Sequence, residues 1–156
     1  MRVWLGLALI ALSATPAAAR DSLGIFGDWA AFRDPASRGA PLRCYAIAEP
    51  DEANARGIYA TVGQWPAARV RGQIYFRLPN ALRGTASLQV GSRRFTLTAR
   101  DTGLWAADAR SDAAIVAAMR GSLRMRLTAG RLSASWRLRG AATAIDAAAL
   151  GCVGQG

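Results

Sequence analysis

Residues 85–97 read TASLQVGSRRFTL, and this stretch decides the fold class. Thr85 to Val90 alternates small or apolar with polar side chains, Gly91-Ser92 is a two-residue hairpin turn, and alternation resumes beyond it. That register sets Leu88 opposite Phe95 and Ala86 opposite Leu97, so the apolar phases of both arms fall on one face. Working outward, Gln73–Leu78 (QIYFRL) places Ile74, Phe76 and Leu78 on one side and Gln73, Tyr75 and Arg77 on the other. A second hairpin is predicted from Ser122–Thr128 and Arg131–Leu138, turning at Ala129-Gly130. It brings Leu123, Met125 and Leu127 against Leu132, Ala134, Trp136 and Leu138. Ile25–Phe32, Leu42–Ala48 and Gly57–Val62 complete about eight short strands.

Two short helices interrupt the strands. Ser111-Asp112 can cap and charge the start of Ala113–Arg120, with Gly121 at its end. Thr143 to Leu150 opens on a capping-box variant, Thr143 with Asp146, and stops at Gly151. The pattern is that of an antiparallel β-sandwich or partly open barrel carrying two small helices. The alanine richness and Arg-only basicity read as compositional bias.

The 156 residues suffice for one ordinary domain, and the formal charge is +10. All the basic residues are Arg; Lys and His are both missing. Without imidazole there is no Ser-His-Asp triad, Cys-His pair or His metal ligand, and without Lys no Schiff base or phosphate-loop lysine. No GxSxG, GxGxxG or HExxH stands in the chain. No cofactor or metal is expected.

The first nineteen residues follow a secretory pattern. Met1-Arg2 is a positive start, Val3–Leu12 an apolar run, and Ala17-Ala18-Ala19 supplies small residues for cleavage between Ala19 and Arg20. The apolar run reaches about 15 Å as a helix, half of a bilayer core of about 30 Å. The expectation is a periplasmic or secreted domain from residue 20 to 156 that is not an integral membrane protein. In an oxidising compartment Cys44 and Cys152 form a disulfide rather than a pair of reactive thiols.

Among possible sites, Glu49, Asp51 and Glu52 share the Glu-Pro-Asp-Glu loop, whose spacing matches no EF-hand. Asp101, Asp108 and Asp112 flank Trp105. An Asp/Glu pair among Asp101, Asp108, Asp112, Glu49 and Asp51 is the alternative reading, an envelope hydrolase, and needs two carboxyls in one cleft. The mature tryptophans Trp29, Trp65, Trp105 and Trp136 read as core or rim. Alternation points Arg124, Arg126, Arg131, Arg137 and Arg139 to the polar face of the second hairpin, with Arg71 and Arg77 on another strand. Like charges on neighbouring strands repel, so Arg124, Arg126, Arg137 and Arg139 form a candidate basic face for an anionic counterpart. Export directs the expectation away from nucleic acid and toward anionic lipid, lipopolysaccharide or an acidic protein.

Phe26-Gly27-Asp28-Trp29, followed by Arg43-Cys44-Tyr45-Ala46 and Glu49-Pro50, resembles the start of the invasion-associated locus B family. Trp105, Asp108, the run from Asp112 to Arg120, Gly121–Met125, Leu138-Arg139-Gly140 and Ala144–Ala148 extend the resemblance from about Leu23 to Cys152. The chain departs from that pattern at Ala30-Ala31-Phe32-Arg33, where family members place a cysteine. The resemblance implies a small exported, mostly β, non-enzymatic protein of Gram-negative alphaproteobacteria, and it carries over no catalytic residue. The resulting expectation is an exported envelope protein that binds an anionic or protein partner.

Overall fold

The computed structural model describes residues 19–53 and 55–153; the leader read in residues 1–18 lies outside the described residues. The order of elements is β1 (Asp21–Phe26), β2 (Trp29–Asp34), β3 (Arg43–Ala48), β4 (Tyr59–Trp65), β5 (Val70–Arg77), β6 (Thr85–Val90), β7 (Arg93–Arg100), β8 (Gly103–Trp105), α1 (Ala109–Arg120), β9 (Arg124–Ala129), β10 (Leu132–Arg137) and α2 (Ala141–Gly151). The strands form one antiparallel sheet, ordered β1-β2-β3-β4-β5-β8-β7-β6-β9-β10. The fold is therefore mainly β with two short helices, as the alternation predicts.

The central hairpin has the expected register, Leu88 opposite Phe95 and Ala86 opposite Leu97. Gly91 turns it with φ +57°, a conformation glycine adopts without Cβ strain. The second hairpin corrects the expectation. Ala129 pairs with Leu132, so the turn is Gly130-Arg131, again with glycine first at φ +60°. Met125 and Leu127 face Trp136 and Ala134 in the core, but Leu123 precedes β9 and is 87% exposed. Ile25–Phe32 is two strands instead of one, because Gly27-Asp28 reverses the chain between β1 and β2. With the short β8, that split raises the count from about eight to ten.

The sheet curls until its last strand meets loops from the opposite end. Among the described residues β10 has no strand on its outer side, and an unpaired edge invites foreign strands unless its polar groups are covered. Here the Ser135 carbonyl accepts from Asp51 N–H at 2.8 Å, and the Ser135 N–H donates to Glu52 Oε2 at 2.8 Å. Trp29 Nε1 donates to the Arg137 carbonyl, and Asp28 N–H to the Arg139 carbonyl, both at 3.0 Å. Trp136 reaches across the interior to the Ala48 carbonyl at 3.2 Å and packs on Phe76, ring centroids 5.4 Å apart.

α2 presents Ala141, Ala144, Ile145 and Ala148 at helical spacing and packs mainly on β1–β3. Beneath it β2, β3 and β4 bury Ala31, Ala46, Ala48 and Ala60. Small side chains on both sides let helix and sheet approach closely, so the buried alanines have a packing role that composition alone conceals. The helix starts one turn from where the sequence puts it. Gly140 stands at its N-cap with no side-chain hydrogen bond, and the Thr143–Asp146 capping box is not used. Asp146 instead pairs with Arg120 of α1 at 2.6 Å. At its far end Cys152 is bonded to Cys44, Cα atoms 5.9 Å apart across 108 positions.

α1 begins at Ala109, earlier than predicted, because Asp108 and not Ser111 is its cap: Asp108 Oδ1 accepts from Ser111 N–H at 2.7 Å. The helix covers the part of β5 that extends past β8, and Asp112 Oδ1 accepts the Ile74 N–H there at 2.9 Å. Burial raises the Asp112 carboxyl above the ordinary range; the Ile74 N–H opposes this and the Asp108 charge adds to it. The folded state thus holds that proton longer than the unfolded chain. Its contribution to stability falls as pH rises through the interval between the two values and is constant above it. Asp112→Asn keeps an acceptor for Ile74 without that loss, so stability at pH 7 should be unchanged or higher, and its rise from acid to neutral pH steeper, because the carboxylates held below their ordinary range, Asp28 and Asp34 among them, then act unopposed. Asp112→Ala leaves a buried N–H unpaired and should cost about 1–3 kcal/mol. Urea unfolding of both variants at pH 4 and pH 7 checks this; an Asn variant as damaged as the Ala variant would contradict it.

Candidate functional site

Inward phases of β3, β4 and β5 fill the core, yet their outward phases are not ordinary solvent-facing residues. Outward stand Arg43, Tyr45 and Ile47 on β3, Tyr59, Thr61, Gly63 and Trp65 on β4, and Gln73, Tyr75 and Arg77 on β5. β2 adds Phe32 and Asp34 on one flank, and β8 adds Trp105 opposite Tyr75 on the other. The result is an aromatic face rimmed by arginine.

Glycines shape it. Gly63 lies between Tyr45 and Gln73 on the neighbouring strands, and a Cβ there would stand 3.0 Å from Trp65 Nε1. At Gly103 a Cβ would stand 2.6 Å from Tyr75 and 2.9 Å from Trp105 Nε1. Both indoles and the phenol therefore lean over a glycine, where a larger residue would displace them. Tyr75 and Trp105 pack on each other with centroids 4.4 Å apart. Between the two walls runs a cleft of about 380 Å³ along β4, with Arg43 and Trp65 toward one end and Tyr59 and Arg77 toward the other.

Asp34 organises the Arg43 end. It accepts from Arg20 at 2.7 Å and from Arg43 at 2.7 Å, with the Tyr45 hydroxyl at 3.5 Å. Arg20 stacks over Phe32 and Tyr45 at 5.6 and 5.5 Å, and Arg43 over Tyr45 and Trp65 at 5.6 Å each. Burial pushes the Asp34 carboxyl up, but hydrogen bonds from Arg20 and Arg43 outweigh it and leave the group below the ordinary Asp range. Burial, then the Asp34 charge, raises the Tyr45 phenol, which stays neutral. Two arginines sharing one carboxylate leave a net positive end whose guanidinium positions are already fixed. Arg77 has no acidic partner among the described residues.

The residues singled out from sequence lie elsewhere. Arg124 and Arg137 both reach Asp51, at 2.8 and 3.3 Å; Arg137 also reaches Asp28 at 3.3 Å, and Arg139 pairs with Asp28 at 3.2 Å. Arg126 contacts Ser133 Oγ at 3.4 Å, and Arg131 occupies the β9–β10 turn. The hydrogen bond from Arg139, then the charges of Arg137 and Arg139, hold Asp28 below the usual carboxylate range. The four arginines do share a face, but three of them are tied to loop carboxylates. Phe26, Gly27, Asp28 and Trp29 form the β1–β2 turn that latches onto β10, with Trp29 only 1% exposed. Asp51 and Glu52 belong to the same closure.

Among the hydrolase candidates, Asp108 caps α1, Asp112 anchors it, Asp51 is ion-paired, Asp101 sits in the β7–β8 turn at φ +51°, and Glu49 is an exposed loop residue. Trp29 and Trp136 are core, whereas Trp65 and Trp105 lie on the outer face. Among the described residues no three His, Cys, Asp or Glu side chains gather to hold a metal ion, and no helix is long and apolar enough to cross a membrane.

Fold and face together define a mainly β, disulfide-bonded protein with an arginine-rimmed aromatic cleft on the outside of its sheet. Comparison with protein-family models, with curated proteins and with solved structures finds no match to this chain.

Proposed function

We propose that the protein is an exported, non-enzymatic envelope protein that binds an anionic component of the cell envelope, on the invasion-associated locus B pattern that its sequence resembles. The observation that carries this reading is the outer face of β2–β5 and β8, where Arg20, Arg43 and Arg77 border half-buried aromatic rings. A disulfide between the two cysteines of the chain supports an oxidising compartment. Cleavage after Ala19 would leave Arg20, a member of the Asp34 cluster, as the first residue.

The face on β9 and β10 is the weaker binding surface, because Asp28 and Asp51 pair three of its four arginines and its outward positions carry no aromatic ring. Binding by cation alone would be lost in salt, since the screening length shrinks to about 3 Å at 1 M. A cleft that stacks rings and desolvates its guanidiniums would keep binding.

The test is co-sedimentation of the purified protein with Gram-negative outer-membrane vesicles at low and high salt. Expected is binding that survives high salt, falls at least tenfold in Arg77→Glu, and is unchanged in Arg126→Glu. Loss of all binding at high salt, or equal loss in the two variants, would reduce the protein to a generic polycation and overturn the reading.

A further inference from the structure

The cleft along β4 has a shape that narrows its ligand. It runs from Trp65 to Tyr59, seven residues or about 20 Å at the rise of a strand. Arg43 stands near one end and Arg77 near the other, separated by aromatic walls and a floor of Thr61 and Gly63 with the Trp65 ring leaning over the glycine. An occupant must therefore be elongated, offer apolar faces to Tyr45, Tyr75 and Trp105, and carry negative charge at more than one point along its length.

β4 is an interior strand, with β3 on one side and β5 on the other, so its backbone N–H and C=O groups are committed to the sheet. An extended peptide could not add to it as a strand and would lose the main-chain hydrogen bonds that usually give such binding its affinity. A bilayer surface is flat and cannot place its charges at the two ends of a recess. A sugar ring meets the requirement directly. Its axial C–H groups carry partial positive charge and lie against the negative face of an indole or phenol, while its hydroxyls suit the Gln73 amide on the wall. Carboxylate or phosphate substituents suit guanidinium forks.

We infer that the cleft between Arg43 and Arg77 binds an acidic oligosaccharide, its rings stacked on Tyr75 and Trp105 and its anionic groups held by the two arginines. The inference rests on the binding role proposed above and names the ligand class of that same face. Uronic-acid and phosphorylated glycans share the required chemistry. Arg43, fixed by Asp34, is the preorganised anchor; Arg77, without an acidic partner, is the adaptable one.

Titration with a linear oligogalacturonate, followed by calorimetry and tryptophan fluorescence, tests it, with a neutral oligosaccharide of equal length, an oligoglutamate peptide and phosphatidylglycerol vesicles as alternatives. Parallel titration with a phosphorylated oligosaccharide separates the two anionic sources. Expected is binding of an acidic glycan, at least tenfold weaker binding of the neutral one, a tenfold or greater loss in Trp105→Ala and about a fivefold loss in Arg77→Ala. Arg77 makes no ion pair among the described residues, so its variant keeps the fold and isolates the site should Trp105→Ala unfold the β8 edge. Equal affinity for neutral and acidic glycans, indifference to both substitutions, or stronger binding of the peptide or vesicles through the same residues would overturn the inference. Outer-membrane vesicles bound through Arg77 while both acidic glycans fail would sink the ligand class and leave the binding role standing. Failure of every ligand together with those vesicles would remove the binding role itself.

Discussion

Replacing Cys44 and Cys152 together by Ala should lower stability by about 4–5 kcal/mol, the loop-entropy value for a cross-link closing on the order of 100 residues. The bond spans 108 positions and joins the buried β3 position Cys44 to the residue that ends α2. A domain of this size is stabilised by only about 5–15 kcal/mol, so at the middle of that range the loss is close to half of the whole. The native state should nevertheless persist at 25 °C, because α2 stays docked through Ala141, Ala144, Ile145 and Ala148. The damage falls on the unfolded side: without the cross-link the denatured chain expands and gains entropy. Urea unfolding should therefore show a lower midpoint and a steeper slope, with near-ultraviolet dichroism unchanged in water. Unreduced protein should take up no alkylating agent, and reduced protein should take up two equivalents. A difference below about 1 kcal/mol would mean that the oxidised and reduced denatured states are equally compact.

The strands were legible because one buried face imposes period two. Ile74, Phe76, Ala86, Leu88, Met125 and Leu127 all point inward, as their alternation predicts. The misread places have particular causes. Gly27-Asp28 is a two-residue hairpin turn, but Ile25, Phe26, Trp29 and Ala30 surround it with apolar residues, so the run reads as one strand. In both later hairpins glycine takes the first loop position with positive φ, and applying the Gly91 pattern to Gly130 would have given the correct turn. α1 is capped by a side chain three residues before the serine that composition favours.

The candidate site was written in the phase that alternation assigns to solvent. A sheet with one wet face carries polar residues there, yet the outward positions of RCYAIA, YATVGQW and QIYFR hold Tyr45, Ile47, Tyr59, Trp65 and Tyr75. That excess of aromatic residues was the available signal. Net charge pointed instead to the β9–β10 arginines, and no local pattern could show their neutralisation: Asp28 and Arg139 are 111 positions apart, Asp51 and Arg137 86. Long-range pairing of this kind is a property of the closed sheet, invisible to a window of a few residues.

Closure of the sheet depends on a place where two backbones nearly touch, and Gly140→Ala should break it. Gly140 has φ +86°, and a Cβ there would overlap the Phe26 carbonyl group, far inside van der Waals contact. The two backbones are as close at the neighbouring position, where a Cβ on Gly27 would stand 2.6 Å from the Arg139 carbonyl oxygen. The β1–β2 turn must therefore move away from β10. With it go the Asp28 N–H bond to Arg139 and the alignment of Trp29 Nε1 with Arg137, while the Asp28 ion pairs are stretched. Left-handed strain, overpacking and a lost hydrogen bond each cost about 1 kcal/mol or more, so the variant should lose roughly 3–5 kcal/mol. Gly130→Ala separates these contributions. Its φ is +60°, but nothing lies within 4 Å of the new methyl group, so it suffers backbone strain alone, about 1 kcal/mol. In thermal unfolding Gly140→Ala should lower Tm by on the order of 10 °C and Gly130→Ala by only a few degrees. Equal shifts would show that the β1–β2 turn yields at no cost and that the Phe26–Trp29 segment does not hold the sheet closed.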